Sequence, residues 1–263
     1  MSYSTSLTVI TVVKDDPNGF QLTVDSLARQ DSQDFELIVI DSSSNTLEIK
    51  RILDESSFSD SIDVTYQWVS PEGIYSAMNQ GLAFSQGEYV YFLNAGDQLD
   101  SPHILRTVIQ HLNEKQATWL FGPVVMLEPD GSAVQTPPWN YQAERANFFA
   151  RGLFPPHQGT FASLRAINEC GGFDADYSIS ADYALFLKLS LLADPVVVDF
   201  PIARFATGGL SSQQWRESFV QFHRARVEVL QPSGFNAVRE RFWTKWHYTK
   251  VWIYRELIDR ARR

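Results

Sequence analysis

The sequence predicts an α/β domain on a largely parallel sheet, followed by a helical C-terminal extension. Three observations carry that expectation: near-continuous runs of β-branched residues, their alternation with helical patterns, and acidic residues where the runs end. Leu7 to Val13 has the nearly unbroken apolar character of a strand buried on both faces. Lys14 to Gly19 end it, and Phe20, Leu22, Val24 and Leu27 mark a helix. A second buried strand, Phe35 to Ile40, stops at Asp41 and runs into Ser42, Ser43, Ser44 and Asn45. The rhythm continues through a strand over Ile62 to Val69, a helix over Tyr75 to Phe84 and a strand over Tyr89 to Leu93. Trp119 to Met126 and Ala133 to Thr136 are expected to pair as a hairpin across Asp130-Gly131. Pro137, Pro138, Pro155 and Pro156 bracket an irregular or short helical stretch. Ala181 to Leu192 predicts an apolar helix entered through Asp182, Val196 to Phe200 a buried strand, and Thr207 to Ser212 a glycine-containing loop.

Composition narrows the function. The chain has 263 residues, 22 Lys plus Arg against 31 Asp plus Glu, a net charge of -9, 44% hydrophobic residues and a single cysteine, Cys170. That excludes a disordered tail protein, a disulfide scaffold and a cysteine-built zinc site. No run approaches a membrane span, and Met1 to Ser6 lacks the basic-then-apolar layout of a signal peptide, so a cytoplasmic protein is expected. No glycine-rich fingerprint follows the first strand, which disfavours a nicotinamide-dependent oxidoreductase or a P-loop enzyme. The strand ends carry Asp15, Asp16, Asp41 and Asp97, placed for a base, a sugar or a cation that bridges to phosphate. Any one of them also suits a helix cap.

Several blocks, in order, carry a resemblance. They are Thr8 to Val13 with Gln30 and Phe35 to Thr46; Gly73-Ile74-Tyr75-Ser76-Ala77-Met78-Asn79-Gln80-Gly81 with Gly87-Glu88-Tyr89; Phe92-Leu93-Asn94-Ala95-Gly96-Asp97; and His157-Gln158 with Gly171 to Asp174, Ser180 to Leu185 and Gly208 to Ser211. Over Leu7 to Ser212 the chain resembles the family 2 glycosyltransferases, inverting enzymes of the GT-A fold, and most of all bacterial enzymes that build exopolysaccharide, capsule or lipopolysaccharide repeat units. The resemblance implies a Rossmann-like GT-A domain over 1–214, an extension over 215–263, and a nucleotide-sugar donor (a UDP-, GDP- or dTDP-sugar). The acceptor implied is a saccharide, polyprenyl-linked. Its donor site would draw on Thr11, Val13, Asp15, Asp41, Ser43, Gly73, Asn79, Asn94, Ala95, Gly96, His157, Gln158 and Gly209, with Asp41 accepting from the base. Asp182 matches the family's catalytic aspartate; Asp in a first helical turn is also favoured by the helix dipole alone.

The sequence departs from the family's pattern at two places. Asn94 and Gly96 stand where metal-binding carboxylates are usual, so Asp97 is the sole carboxylate for an expected Mg²⁺ or Mn²⁺, and Ala181 replaces a glutamate. These departures motivate a rival reading, a catalytically inactive nucleotide-sugar-binding or partner subunit. Tyr75 and Met78, three apart, are expected in the core, and Gly81 at a close packing contact.

The charge is divided. Residues 1–214 hold 11 basic and 26 acidic side chains, whereas 215–263 hold 11 basic, 5 acidic and ten aromatics, Trp215, Trp243, Trp246 and Trp252 among them. A helix from Asn236 to Arg263 suits either an anionic membrane surface, on the inner face of the cytoplasmic membrane, or packing on its own domain or a second copy. The acidic body argues against a nucleic-acid partner.

Overall fold

The computed structural model describes residues 5–58, 62–144, 149, 153–208 and 214–261. Strand β1 (Thr5–Val13) is followed by α1 (Pro17–Ala28), which starts where the Asp16 carboxylate accepts from the Gly19 N–H at 2.9 Å and Pro17 presets the first helical φ. Next come β2 (Glu36–Asp41), α2 (Thr46–Asp54, capped by Asn45), β3 (Val64–Trp68), α3 (Ile74–Phe84) and β4 (Gly87–Phe92). Then follow β5 (Gln98–Leu99), α4 (Ile104–Lys115), β6 (Trp119–Phe121), β7 (Val124–Leu127), β8 (Ala133–Gln135) and α5 (Tyr141–Glu144). A 3₁₀ turn, His157–Gly159, leads into β9 (Thr160–Ser163), α6 (Leu164–Glu169) and α7 (Ala181–Leu192). The chain closes with β10 (Val196–Val197), β11 (Ala203–Ala206), α8 (Trp215–Leu230) and α9 (Gly234–Ala261).

The main sheet runs β10-β6-β9-β4-β1-β2-β3 and the smaller one β5-β11-β7-β8. Pairing is parallel across β4-β1-β2-β3 and β10-β6; β9 is antiparallel to both β4 and β6. One reversed strand has a direct consequence: the entry of β9 lies at the same edge of the sheet as the exit of β4. Strand β1 explains its continuous apolar run by burying both faces, Ile10 and Val12 towards α3 and α7, Val9 and Val13 towards α1 and α4. Each such side chain contributes roughly 1.5–3 kcal/mol. Gly81 is where α3 meets the sheet: a Cβ there would lie 2.5 Å from Ile10 Cγ2.

Two expected strands are redrawn. Trp119 to Met126 is not one strand, because the chain passes from the main sheet to the smaller one between Phe121 and Val124. Pro123 has no N–H to offer a ladder, and Gly122 sits so close to Val198 that a Cβ would lie 2.6 Å from its Cγ2. The hairpin across Asp130-Gly131 is therefore β7-β8 alone. Of Val196 to Phe200, only Val196 and Val197 are strand, and Val198 adds one N–H bond to the Phe121 carbonyl of β6.

The C-terminal extension shares the domain's core. Phe222 and Ala225 of α8 lie in the same apolar cluster as Tyr183, Ala184 and Leu187 of α7. Helix α9 is tied to α8 by Arg226, 3% exposed, whose Nε donates to Glu240 Oε1 at 2.6 Å and whose Nη2 donates to Thr244 Oγ at 2.9 Å. Its Nη1 reaches Tyr183 Oη at 2.7 Å, so one guanidinium joins α7, α8 and α9.

Candidate functional site

The candidate site lies at the carboxyl edge of the parallel strands, where three loops are stitched together. After β1, Asp15 takes a left-handed conformation (φ 52°), its N–H donates to Ser43 Oγ and its carboxylate accepts from the Ser44 N–H, both at 2.8 Å. After β4, Leu93 and Ala95 still donate to the carbonyls of Ile10 and Val12, and Gly96, at φ 93°, turns the chain. The Thr23 hydroxyl of α1 braces this turn: it accepts from the Gly96 N–H at 3.1 Å and lies 2.7 Å from the Asp97 carbonyl.

A row of three ionisable side chains stands at this edge. His157 Nε2 is 3.8 Å from Asp97 Oδ2, and His157 Nδ1 is 3.8 Å from Asp182 Oδ2. Both spacings are longer than a hydrogen bond. The Asn94 amide nitrogen lies 3.1 Å from His157 Nε2, within hydrogen-bond reach. His157 arrives because it opens the 3₁₀ turn before the reversed strand β9, and Asp182 because it is in the first turn of α7. No spacing in the sequence links Asp97, His157 and Asp182; the reversed strand does.

Asp182 is held in a set orientation. Its Oδ1 accepts from the Tyr183 N–H at 2.8 Å and lies 3.2 Å from Tyr75 Oη, which also donates to the Ile179 carbonyl at 2.6 Å. Burial first, and the Asp182 charge second, push the Tyr75 hydroxyl well above its ordinary value, so it remains a donor. Tyr75 is thus both core and site. A signal for it was present: a buried tyrosine, where phenylalanine would pack as well, implies a partner for its hydroxyl.

Asp97 is 8% exposed, and burial raises its carboxyl to about 6, with His157 and Gln158 opposing the rise. A raised carboxyl confers stability through its protonated form, in full below the exposed value of 3.8 and lost as pH rises through about 6. In chelator, Asp97→Asn should therefore be more stable than the parent at pH 7, on the order of 1–3 kcal/mol, with the advantage vanishing near pH 4. Thermal denaturation across pH checks this; a difference that does not change with pH would refute it.

Asn94 Oδ1 is buried and has no hydrogen-bond partner among the described residues. Asn94 Oδ1 and the Asp97 carboxylate are hard oxygen donors, the type a divalent cation takes when waters and phosphate oxygens supply its other ligands. Among the described residues no three His, Cys, Asp or Glu side chains form a ready-made cage.

Other expected residues have different surroundings. Asp41 is fully buried; its Oδ1 accepts from the Ser43 N–H at 2.7 Å and its Oδ2 from Tyr66 Oη at 2.6 Å, so the position foreseen for a base is filled by Tyr66. The side chains of Thr11 and Val13 are inside the sheet, 0% and 3% exposed. The Asn79 amide donates to the Phe173 carbonyl at 2.7 Å and accepts from the Phe173 N–H at 2.9 Å, steadying the loop that leads to Asp182. Ser43 also accepts from Trp68 Nε1 through its carbonyl, at 3.2 Å. Gly73 opens α3 at φ 107°, a conformation that favours glycine. The Gln158 carbonyl accepts from Tyr91 Oη at 2.7 Å. Gly209 lies outside the described residues.

The sequence model described as "Glycosyl transferase family 2" matches residues 8–171, more than half of the chain. The chain belongs to this family. Its fold is GT-A, and it is a glycosyltransferase. An uncharacterized glycosyltransferase of Mycobacterium tuberculosis is 29% identical to this family 2 member over 221 residues, covering 81% of this chain and 80% of its own length. Among solved structures, S. aureus TarS 1–349 in complex with UDP-GlcNAc is similar at a TM-score of 0.66 and 16% identity, over 85% of this chain and 67% of that one. A longer TarS chain is matched over only 40% of its length. The mannosyltransferase PcManGT from Pyrobaculum calidifontis, in complex with GDP-Man and Mn²⁺, is similar at a TM-score of 0.66 and 14% identity, over 94% of this chain and 70% of that one. At such identities the solved structures speak for the fold. No helix among the described residues is long and apolar enough to cross a membrane.

Proposed function

We propose that this glycosyltransferase inverts the anomeric centre of a nucleotide-sugar in a single displacement, with Asp182 as the base. The observation that carries the reading is the row Asp97, His157, Asp182, which sets a carboxylate braced by Tyr75 and Tyr183 across one imidazole from a second, buried carboxylate. Asp182 takes the proton of an acceptor hydroxyl as its oxygen bonds to C1; the bond from C1 to the diphosphate breaks, and the nucleoside diphosphate leaves with the electron pair. One base facing the anomeric carbon suffices for this, unlike the carboxylate pair of a hydrolase. Asp97 and Asn94 Oδ1 would hold the cation, Mg²⁺ or Mn²⁺, which when bound neutralises charge developing on the diphosphate. His157, between the two carboxylates, sets the spacing of cation side and base side. The UDP-GlcNAc bound in one similar solved structure and the GDP-Man and Mn²⁺ bound in another support a nucleoside diphosphate sugar as the donor class. We take the acceptor to be a polyprenyl-linked saccharide in bacterial surface polysaccharide synthesis, met at the inner face of the cytoplasmic membrane.

Nucleoside diphosphate release from a panel of UDP-, GDP- and dTDP-sugars, with Mg²⁺ or Mn²⁺, tests the reading. Release with at least one donor is expected. Donor binding without release from any of them would favour the inactive binding subunit that Asn94 and Ala181 bring to mind.

The filled place beside Asp41 carries a separate expectation. If the base takes the position of the Tyr66 hydroxyl on Asp41, binding must first break a hydrogen bond to a charged group, about 1.5–3 kcal/mol. Tyr66→Phe should therefore tighten nucleoside diphosphate binding by roughly tenfold while lowering the thermal midpoint. Titration calorimetry checks it, and unchanged or weaker binding would show that Asp41 does not receive the base.

A further inference from the structure

Helix α9 has two faces with different fates. Glu240, Thr244 and Tyr248, at four-residue steps, face α8: the first two bond Arg226, and the Tyr248 ring packs on Trp215 with centroids 5.5 Å apart. On the opposite side Phe235, Val238, Phe242, Trp246 and Ile253 are 80%, 65%, 62%, 56% and 47% exposed. Their spacings of three, four, four and seven place them on one helical stripe. Arg239 and Lys250 run along one border of that stripe, Arg241 and Lys245 along the other, and all four are exposed. The only carboxylate between Phe235 and Tyr254 is Glu240, turned inward to Arg226.

We propose that this stripe lies on an anionic lipid surface, with its apolar side chains in the headgroup boundary and the four flanking cations on lipid phosphates. The proposal names the surface that would serve a lipid-linked acceptor, and so deepens that reading, but the face of α9 is its evidence. Exposed Phe and Trp bordered by Lys and Arg suit the bilayer interface, where an aromatic body enters the apolar layer and the cations meet negative charge. Charge also favours lipid over a second copy: a symmetric pairing through this stripe would bring two rows of cations together. The uneven charge of the chain adds direction. Residues 1–214, with 26 acidic side chains against 11 basic, are repelled by an anionic surface while the tail is drawn to it. Because Arg226 joins α9 to α7 through Tyr183, the residue after Asp182, docking would hold the catalytic helix at a set orientation to the bilayer.

Sedimentation of the full-length protein with phosphatidylcholine vesicles, with and without phosphatidylglycerol, tests the proposal. Binding to the anionic vesicles, weakened by salt, is expected. Phe242→Ser with Trp246→Ser should reduce it by more than about tenfold, and Arg241→Glu with Lys245→Glu by about fivefold for each charge removed. These side chains are exposed, so unchanged thermal midpoints should accompany both losses. Equal sedimentation with neutral vesicles, no sedimentation, or a dimer by light scattering that the Phe242/Trp246 variant dissociates would each overturn it. Release of nucleoside diphosphate without vesicles reads the glycosyl-transfer proposal separately, so either can fail while the other stands.

Discussion

Asp182→Asn should lower turnover by about a hundred- to ten-thousandfold, the range a general base supplies, and leave donor affinity nearly unchanged. Asparagine keeps the volume of the aspartate and retains an oxygen for the Tyr183 N–H and the Tyr75 hydroxyl, so the first turn of α7 has no reason to move. What it cannot do is take a proton. The donor's diphosphate end, by contrast, would be held at Asp97 and Asn94, across His157 from the substitution. Nucleoside diphosphate release and calorimetric titration of the donor separate the two effects. A variant that still turns over would remove Asp182 as the base, and one that no longer binds donor would move Asp182 into the binding site.

Arg226→Ala should cost about 3–5 kcal/mol, a fall in thermal midpoint on the order of 10 °C. The side chain is 3% exposed, and its loss leaves the Glu240 carboxylate, 10% exposed, with only the His223 ring and the Thr244 hydroxyl beside it. Tyr183 Oη and Thr244 Oγ lose a donor at the same time. The double variant Arg226→Met with Glu240→Leu should recover most of the loss, because it removes both buried charges together. Chemical denaturation measures both. A single-variant cost below about 1 kcal/mol, the worth of an exposed ion pair, would mean that α9 is not seated on α8 as described.

Much of the domain was legible in the sequence because parallel strands buried on both faces must be apolar throughout. Leu7 to Val13 and Phe35 to Ile40 announce themselves in that way, and α7 spans the predicted Ala181 to Leu192. The passage at Gly122-Pro123 was less legible, since an apolar run does not say which sheet each part joins. In the site, Asp97 and Asp182 stood out by their place in the family's blocks. Tyr75 was read only as core because spacing reports which face a residue is on, not what its hydroxyl meets. That Asn79 bonds the main chain of Phe173 and Thr11 lies within the sheet was not legible either, because a place in a motif block does not report a side chain's partners.

The sequence by itself determined the family, the alternation of strands and helices, the acidic strand ends and the division between an acidic body and a basic, aromatic tail. These are properties of composition and local period, which survive in a linear string. Only the tertiary structure decided that His157 stands between Asp97 and Asp182, that Tyr66 fills the place beside Asp41, and which face of α9 is spent on Arg226 and which is left outward. Each depends on residues far apart in the chain meeting across a reversed strand, a parallel pair or a helix packing contact, and no local pattern encodes such a meeting.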